Sequence, residues 1–525
     1  MKFIIVTGGI ISGLGKGITA SSIGLLLQSL GYSVTAIKID PYLNIDAGTM
    51  SPYEHGETYV LGDGGETDLD LGNYERFLNI ELTKDHNITT GKIYANVLQK
   101  ERNGEYLGKT VQVIPHIVDE IQEKIIKAAH LDVGFGTPDI CIVELGGTIG
   151  DIETAPFVEA ITRLCAKYDN HNFCFVHVSL ILNMNGEPKS KPTQQSVKTL
   201  RSLGIVPNIL VLRTENMLDA NIIDKININC GVSKGNIICN INVPNIYFVP
   251  DLFRKQNICQ KIGSILNIDI KSDYDLVDYY KILDHFSNKI STLKVGIAGK
   301  YVGLQDTYLS LIRAIEHASF YINTVVEIIW IDTEQIECGV ENEWAKLKMC
   351  DRVIIPGGFG SRGIEGKILV AEYCRLNSIK ILGICLGMQV MVVEYARSLG
   401  YKQATSREWN ENGLHIIDML PDQNGVMGGT MRLGNYKSII NDIILNQIYK
   451  QDFIVERHRH RYELTLNNAN IFKNTDMILS VLDDKLNLIE IVRLENHPFY
   501  IGCQFHPEFK SKYNTPHPLF VSLLS

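Results

Sequence analysis

Two α/β domains, each doubly wound around a parallel sheet, are the fold that this 525-residue sequence predicts. Three observations carry that prediction. The apolar run Lys2-Phe-Ile-Ile-Val6 passes through a glycine-rich turn into a helical pattern and then returns to strand character. The same alternation restarts at Lys294-Val-Gly-Ile-Ala298. Between the two series, residues 269–292 are rich in Asp, Lys and Tyr and hold no glycine-rich turn. Strand, helix and strand in that order make a βαβ unit, the start of a parallel sheet. The expected division is a P-loop-like domain at 1–268, a linker with one helical segment at 269–292, and a second domain at 293–525.

The elements follow in order. Ile18 to Leu30 reads as a helix stopped by Gly31, and Ser33 to Ile39 as the next strand. Ile140–Val143, Cys174–Leu182 and Asn208–Leu212 are further buried-strand runs, as are Val325–Ile331, Arg352–Ile355 and Ile379–Ile384 in the second half. Composition sets outer bounds. With 45% hydrophobic and 21% charged residues the chain is an ordinary globular mixture rather than a disordered one. Fifty Lys+Arg against 59 Asp+Glu give a charge of −9, which argues against a general nucleic-acid binder. The eleven cysteines form no C-x-x-C pair and read as reduced thiols. The first apolar stretch is too short for a signal-peptide core and no ~18-residue apolar run could span a membrane, so a cytoplasmic protein is expected.

Gly8-Gly-Ile-Ile-Ser-Gly-Leu-Gly-Lys-Gly17 lies between the first strand and the first helix. Backbone N–H groups there can cradle phosphates, and Lys16 adds a point charge. The segment departs from the usual G-x4-G-K-[ST] loop, because Gly17 replaces the hydroxyl residue that would hold Mg²⁺. Metal ligands must then come from elsewhere. Asp70 closes the carboxylate-rich loop that begins at Asp63, and Glu144 ends the run Ile140–Val143. Both are oxygen donors of the kind a hard cation prefers. Lys189-Ser-Lys-Pro-Thr-Gln194 suits either a second polyphosphate clamp or a plain solvated loop before a helix.

The second half carries a different chemistry. Gly383-Ile-Cys-Leu-Gly387 sits between a strand and a helix, the setting of a nucleophile elbow, where the helix start favours a thiolate at Cys385. In Gln504-Phe-His-Pro-Glu508, His506 is a base for that thiol and Glu508 an orienter for the imidazole. Pro356-Gly-Gly-Phe-Gly360 offers backbone N–H groups for an oxyanion. Arg457-His-Arg-His-Arg461 reads as a solvated or site-lining segment rather than a nucleic-acid patch. Three elements, each just after a strand, point to cysteine-based acyl transfer.

Those residues resemble known proteins. The set Cys385, His506 and Glu508 looks like a class I glutamine amidotransferase. The first half resembles the synthase domain of cytidine triphosphate (CTP) synthases at Gly8–Gly17, Lys38–Asn44, Gly48–Pro52, Glu66–Arg76, Gly108–His116, Gly146–Glu153 and Lys191–Arg201. The resemblance implies that ATP phosphorylates UTP at O4 and that ammonia from L-glutamine then replaces the phosphate. It implies ATP contacts at Ser12, Gly13, Leu14, Gly15, Lys16, Gly17, Ile18, Lys38 and Asp70, with Mg²⁺ on Asp70 and Glu144. For UTP, or CTP as inhibitor, it implies Ser12, Asp151, Ile152, Glu153, Lys189, Ser190, Lys191, Pro192, Thr193, Gln194 and Lys225. For glutamine it implies Gly358, Leu386, Gly387, Met388, Gln389, Glu408 and Arg461. GTP activation, CTP inhibition, a homotetramer and filaments are further family expectations. Two other readings stand at this stage. One is an ATP-dependent enzyme that aminates a carboxylate, which would have no need of the cations at Lys189–Gln194 and Lys225. The other is a nucleotide-binding relative without turnover, which should have lost at least one of Lys16, Asp70, Glu144, Cys385 or His506.

Overall fold

A computed structural model describes residues 1–271, 274–287, 291–420, 429–464, 468–483 and 488–525. The chain divides into two compact units, one of residues 1–47 and 70–283, the other of residues 48–69 and 284–525.

The first unit is built on a parallel sheet. Its seven strands among the described residues are β1 (Lys2–Gly8), β2 (Val34–Asp40), β3 (Asn87–Thr89), β4 (Ile140–Leu145), β5 (Phe173–Leu180), β6 (Ile209–Thr214) and β7 (Ile237–Ile241). They lie in the order β7-β6-β5-β1-β4-β2-β3, and every pairing is parallel. Such a sheet is covered on both faces, which is why its strands read as unbroken apolar runs rather than as alternations. Phe3 and Ile5 of β1 pack into one core with Val143 and Ile161, while Ile4 and Val6 are equally buried on the opposite face. Helix α1 (Lys16–Ser29) follows β1, and α2 (Leu69–Leu78) and α3 (Lys191–Ser202) carry further predicted site residues. Within the expected linker, α4 (Val277–Ser287) is helical, and strand character resumes at Thr292.

The second unit carries a nine-stranded sheet among its described residues. Its strands are β8 (Thr292–Gly299), β9 (Val325–Asp332), β10 (Arg352–Ile355), β11 (Lys380–Ile384), β12 (Arg432–Ile440), β13 (Phe453–His460), β14 (Met477–Asp483), β15 (Ile489–Leu494) and β16 (Tyr500–Cys503). The order is β9-β8-β10-β11-β16-β15-β14-β12-β13. Pairings are parallel from β9 to β16 and antiparallel from β16 to β13. Both faces are again buried. Val353, Ile355 and Ile381 enter one core cluster, and Ile354, Leu382 and Ile384 the other. Helix α5 (Leu309–Ile322) packs in the second cluster and α6 (Leu386–Ser398) in the first.

Residues 48–69 pack as part of this second unit although they precede most of the first in sequence. The Tyr59 hydroxyl donates to Phe509 O (2.9 Å), and Arg457 donates to the Tyr59 hydroxyl (3.0 Å) and to Val60 O (3.1 Å). The Glu57 carboxylate accepts the backbone N–H and the hydroxyl of Ser310 near the start of α5. Arg459 pairs with Glu66 at 2.8 Å. Arg457 and Arg459, the first and third residues of the basic run, are therefore internal braces rather than a charged surface. Tyr59 is fully buried and Arg457 nearly so, so these bonds form away from competing water.

Candidate active site

In the first unit, the end of β1 and the start of α1 form the predicted phosphate loop. Gly13 and Gly15 take positive φ (72° and 85°), the left-handed conformation that glycine adopts without penalty. Gly17 is glycine for a different reason. A Cβ there would lie 2.3 Å from Asp70 Oδ1, so the absent side chain is what lets the Asp70 carboxylate approach the helix start. Lys16 folds back to donate to Gly147 O at 2.8 Å. Burial holds its pKa down, opposed chiefly by the charge of Glu144.

Opposite this loop, β2 and β4 end in a cluster of charge. Lys38 Nζ bonds to Asp70, lies 3.2 Å from Glu144 and 3.8 Å from Asp40. Tyr74 on α2 donates to the second Glu144 oxygen. Burial raises the pKa values of Asp40 and Glu144, whereas for Asp70 the attraction of Lys38 outweighs burial and lowers it. The two predicted metal ligands thus converge, joined through one ammonium. Their oxygen-only donors fit a small hard cation that arrives with a polyphosphate and keeps several waters. Among the described residues no group of three or more His, Cys, Asp or Glu is arranged as a metal centre.

The predicted pyrimidine-nucleotide residues fall into two kinds. Ile152 is 85% exposed between Asp151 and Glu153, which are exposed too. Lys189 is paired with Glu187 at 2.6 Å, and Lys225 acts on the same carboxylate, so the fold brings these two cations near one another. Ser190 and Thr193, in contrast, are buried. Thr193 donates to Leu180 O (2.9 Å), and Gln194 Nε2 donates to the Ser190 hydroxyl (3.0 Å). These two hydroxyls hold the loop to β5 and α3. Lys191 and Pro192 open α3.

In the second unit, β11 turns sharply into α6 at Cys385, whose φ is +53° and ψ −106°. That conformation is costly for a residue with a Cβ and persists only where the surroundings enforce it. They do so by close packing: a Cβ on Gly387 would sit 2.0 Å from Ile355 O, so α6 starts directly against β10. His506 follows β16, the neighbour of β11, and its Nδ1 lies 2.7 Å from Glu508 Oε1. A Cβ on Gly357 would lie 2.9 Å from the His506 ring and 3.6 Å from Cys385 Cβ, so this loop closes over both groups. Burial pushes the His506 imidazolium down, but the charges of Glu508 and Cys385 outweigh it and raise its pKa to about 10. An imidazolium beside a sulfur is the arrangement that supports a thiolate nucleophile.

Two cavities open on Cys385. One, of about 40 Å³, is lined by Gly358, Leu386, Gln389, Glu408, Arg461 and neighbours. The other, of about 90 Å³, holds His506, Glu508 and Phe359 together with Pro52, Glu57 and Thr58 of the early segment. Met388 is fully buried in the core one turn into α6. Glu408 Oε1 accepts from the backbone N–H of Gly360 (2.8 Å), and burial raises its pKa. A larger cavity of about 760 Å³, near Tyr449 and Arg493, contains none of these groups, so size does not mark the site.

Sequence reasoning did not find several groups at these sites. Asp40 and Tyr74 join the first cluster. Two buried lysines brace the glycine loop of the second: Lys367 donates to Pro356 O (2.9 Å), and Lys300 to Phe359 O and Gly360 O. Burial lowers the pKa of Lys367 to about 7 and that of Lys300 to about 8.

Two family models match the chain. The model described as CTP synthase N-terminus matches residues 2–268, and glutamine amidotransferase class-I matches residues 303–525. The chain belongs to the CTP synthase family. A CTP synthase of Carboxydothermus hydrogenoformans is 46% identical over 99% of this chain and 97% of its own length. CTP synthase 2 of Homo sapiens is 46% identical over all of this chain and 93% of its own. The CTP synthase of Dictyostelium discoideum is 44% identical, covering 100% and 98%. CTP synthases are glutamine-hydrolysing ligases, and a synthase domain followed by a class I amidotransferase domain is the organisation seen here. No helix among the described residues is long and apolar enough to cross a membrane.

Proposed function

We propose that this chain converts UTP to CTP, using ATP and the amide nitrogen of L-glutamine. The observation that carries the reading is that one chain of the family holds both a self-paired Lys38–Asp70–Glu144 cluster beside a phosphate loop and an assembled Cys385–His506–Glu508 set. In the second unit, the Cys385 thiolate, its proton already held by His506, bonds to the glutamine carbonyl carbon. The carbonyl π pair moves to oxygen, facing the N–H groups of Gly358 and Leu386. Collapse expels ammonia, with the proton returned by His506, and water then hydrolyses the thioester to glutamate. Gln389, Glu408 and Arg461 hold the amino-acid end, the guanidinium pairing with its carboxylate.

In the first unit, residues 12–18 cradle the ATP phosphates through backbone N–H groups. Lys16 and Lys38 turn from their present partners toward the transferring phosphoryl group. Asp70 and Glu144 would hold Mg²⁺, which neutralises charge on the phosphates when bound. The UTP O4 attacks the γ-phosphorus and ADP leaves. Ammonia then adds at C4 and inorganic phosphate departs, giving CTP. Asp151 to Glu153, Lys189 to Gln194 and Lys225 receive the pyrimidine nucleotide. Activation by GTP, inhibition by CTP, assembly into tetramers or filaments and a cytoplasmic location complete the reading, as do domain limits at 268 and 293.

The test is absorbance-monitored conversion of UTP to CTP with ATP and Mg²⁺, with glutamine or ammonium as nitrogen donor. Turnover with both donors is expected. A folded protein that hydrolyses glutamine yet aminates UTP with neither donor would overturn the proposal and direct attention to a carboxylate acceptor.

A further inference from the structure

We propose that Gln504 is a thiolate-orienting residue, whose amide N–H is aimed at Cys385 Sγ by a directional relay that begins at a backbone carbonyl. The proposal rests on the reading of Cys385 as the nucleophile.

The relay is fixed by what each group can and cannot donate. Tyr462 O is a backbone carbonyl and only accepts. Gln389 Nε2 lies 2.8 Å from it and must therefore be the amide nitrogen, since the amide oxygen there would set two acceptors face to face. The same Nε2 donates its second proton to Gln504 Oε1 at 3.2 Å. With its oxygen so engaged, Gln504 turns its Nε2 to Cys385 Sγ, 3.7 Å away, within hydrogen-bond range for sulfur. One carbonyl thus sets two amide orientations and leaves an N–H donor at the reacting atom.

Each link is buried. Gln504 is fully buried and Gln389 is 2% exposed, so no water competes for the N–H. Gln504 is held from its backbone as well, by a 2.8 Å bond from its own N–H to Glu490 O. The thiol has a separate acceptor in Arg459 O at 3.8 Å. The neutral sulfur can donate to that carbonyl, and the ionised sulfur can accept from Gln504. Charged and titratable groups acting on the sulfur include His506 with Glu508, Lys367 and Cys503. Among these neighbours Gln504 supplies a neutral donor, which favours the anion without adding a charge that must later be neutralised.

The experiment compares the full-length enzyme with Gln504→Leu and Gln504→Glu. Leucine removes both ends of the relay. Glutamate keeps the acceptor for Gln389 but has no N–H for sulfur. The readouts are the pH dependence of Cys385 alkylation by iodoacetamide and the kcat and KM for glutamine hydrolysis, with thermal melting to confirm folding. For both variants we expect the half-maximal alkylation pH to move upward. We also expect kcat to fall about 10- to 100-fold, the range for losing a hydrogen bond to a charged group, with KM changed by less than about 3-fold. A folded Gln504→Glu protein with the wild-type alkylation profile would overturn the proposal, as would a loss confined to KM. Alkylation needs no glutamine, so the relay is tested even if glutamine proves not to be the substrate. A wild-type protein that alkylates at Cys385 but leaves glutamine intact would instead sink the glutaminase reading.

Discussion

The two candidate sites solve the problem of buried charge in opposite ways. Around Cys385 each acid or base faces its working partner: His506 has Glu508, and the flanking loop is braced by Lys300 and Lys367. Around Glu144 the charges consume one another, because Lys38 is spent on Asp70 and Glu144 and Lys16 on a backbone carbonyl. On the proposed function, the two substrates would therefore have to bring different things. A neutral amide meets a site preorganised for developing charge. A polyphosphate would have to redistribute the existing ion pairs, with Lys16 and Lys38 turning to phosphate and Asp70 and Glu144 left to hold its cation. The second unit's site is therefore expected to be sensitive to single atoms and the first to the balance of charge.

The largest expected effect separates the two sites outright. Cys385→Ala should abolish glutamine-driven CTP formation, a loss beyond about 10³-fold, because it removes the sulfur that forms the thioester. Turnover with added ammonium should persist, since the first unit keeps every group. Equal loss with both nitrogen donors would break the separation.

How far this contrast was legible in the sequence follows from where each group sits. Cys385, His506 and the glycine loop each come directly after a strand of one parallel array, so local pattern alone predicts that their ends converge. The braces lie far apart in the chain. The Glu66–Arg459 pair spans 393 positions, and nothing local to Gly48–Leu69 says that it packs with the second unit. Lys367 sits within a helix, Ile364–Leu376, where a lysine ordinarily marks the solvated face. Two residues did leave a signal. Asp40 stands two positions after Lys38 on β2, the spacing that places alternate side chains on one face, and Gln504 stands in the same short motif as His506 and Glu508.

Lys16→Ala should act on both nitrogen donors alike, lowering each about 10²-fold or more, because it removes charge at the shared phosphoryl-transfer step. Steady-state rates with glutamine and with ammonium provide the check. A variant impaired with glutamine alone would assign Lys16 to communication with the second unit instead.

Glu508→Gln sharpens the contrast from the other side. It removes the carboxylate that keeps the His506 imidazolium stable to a pH of about 10. Glutamine hydrolysis should fall about 10- to 100-fold, and the alkaline limb of its pH profile should move down. Stability has a definite sign. A base whose folded value lies above its unfolded value of about 6.5 contributes in full below that pH and loses the contribution as pH rises through about 10. The melting difference between wild type and variant should therefore be greatest below about pH 6.5 and shrink toward pH 10. A difference that grows with pH would show that Glu508 does not hold His506 charged.

The smallest effect should be a gain. Lys367 is fully buried, and its folded pKa of about 7 lies below the unfolded value of 10.5. Below the lower value both states are protonated and the folded state carries the whole cost of a buried charge. Between the two values the unfolded chain binds more protons, so the cost is relieved as pH rises. Lys367→Met keeps the length and apolar stem of the side chain and gives up one bond to Pro356 O, worth about 1 kcal/mol. Replacing a buried charge by packed apolar volume returns more than that. A net gain of about 1–2 kcal/mol is expected at pH 6, seen as a melting point higher by several degrees, and it should vanish toward pH 10. Glutamine hydrolysis should decline at the same time, because the bond that holds the glycine loop over Cys385 is gone. A variant both more stable and equally active would mean that the loop is held by packing alone, and that the precision ascribed to the second site does not depend on its lysine braces.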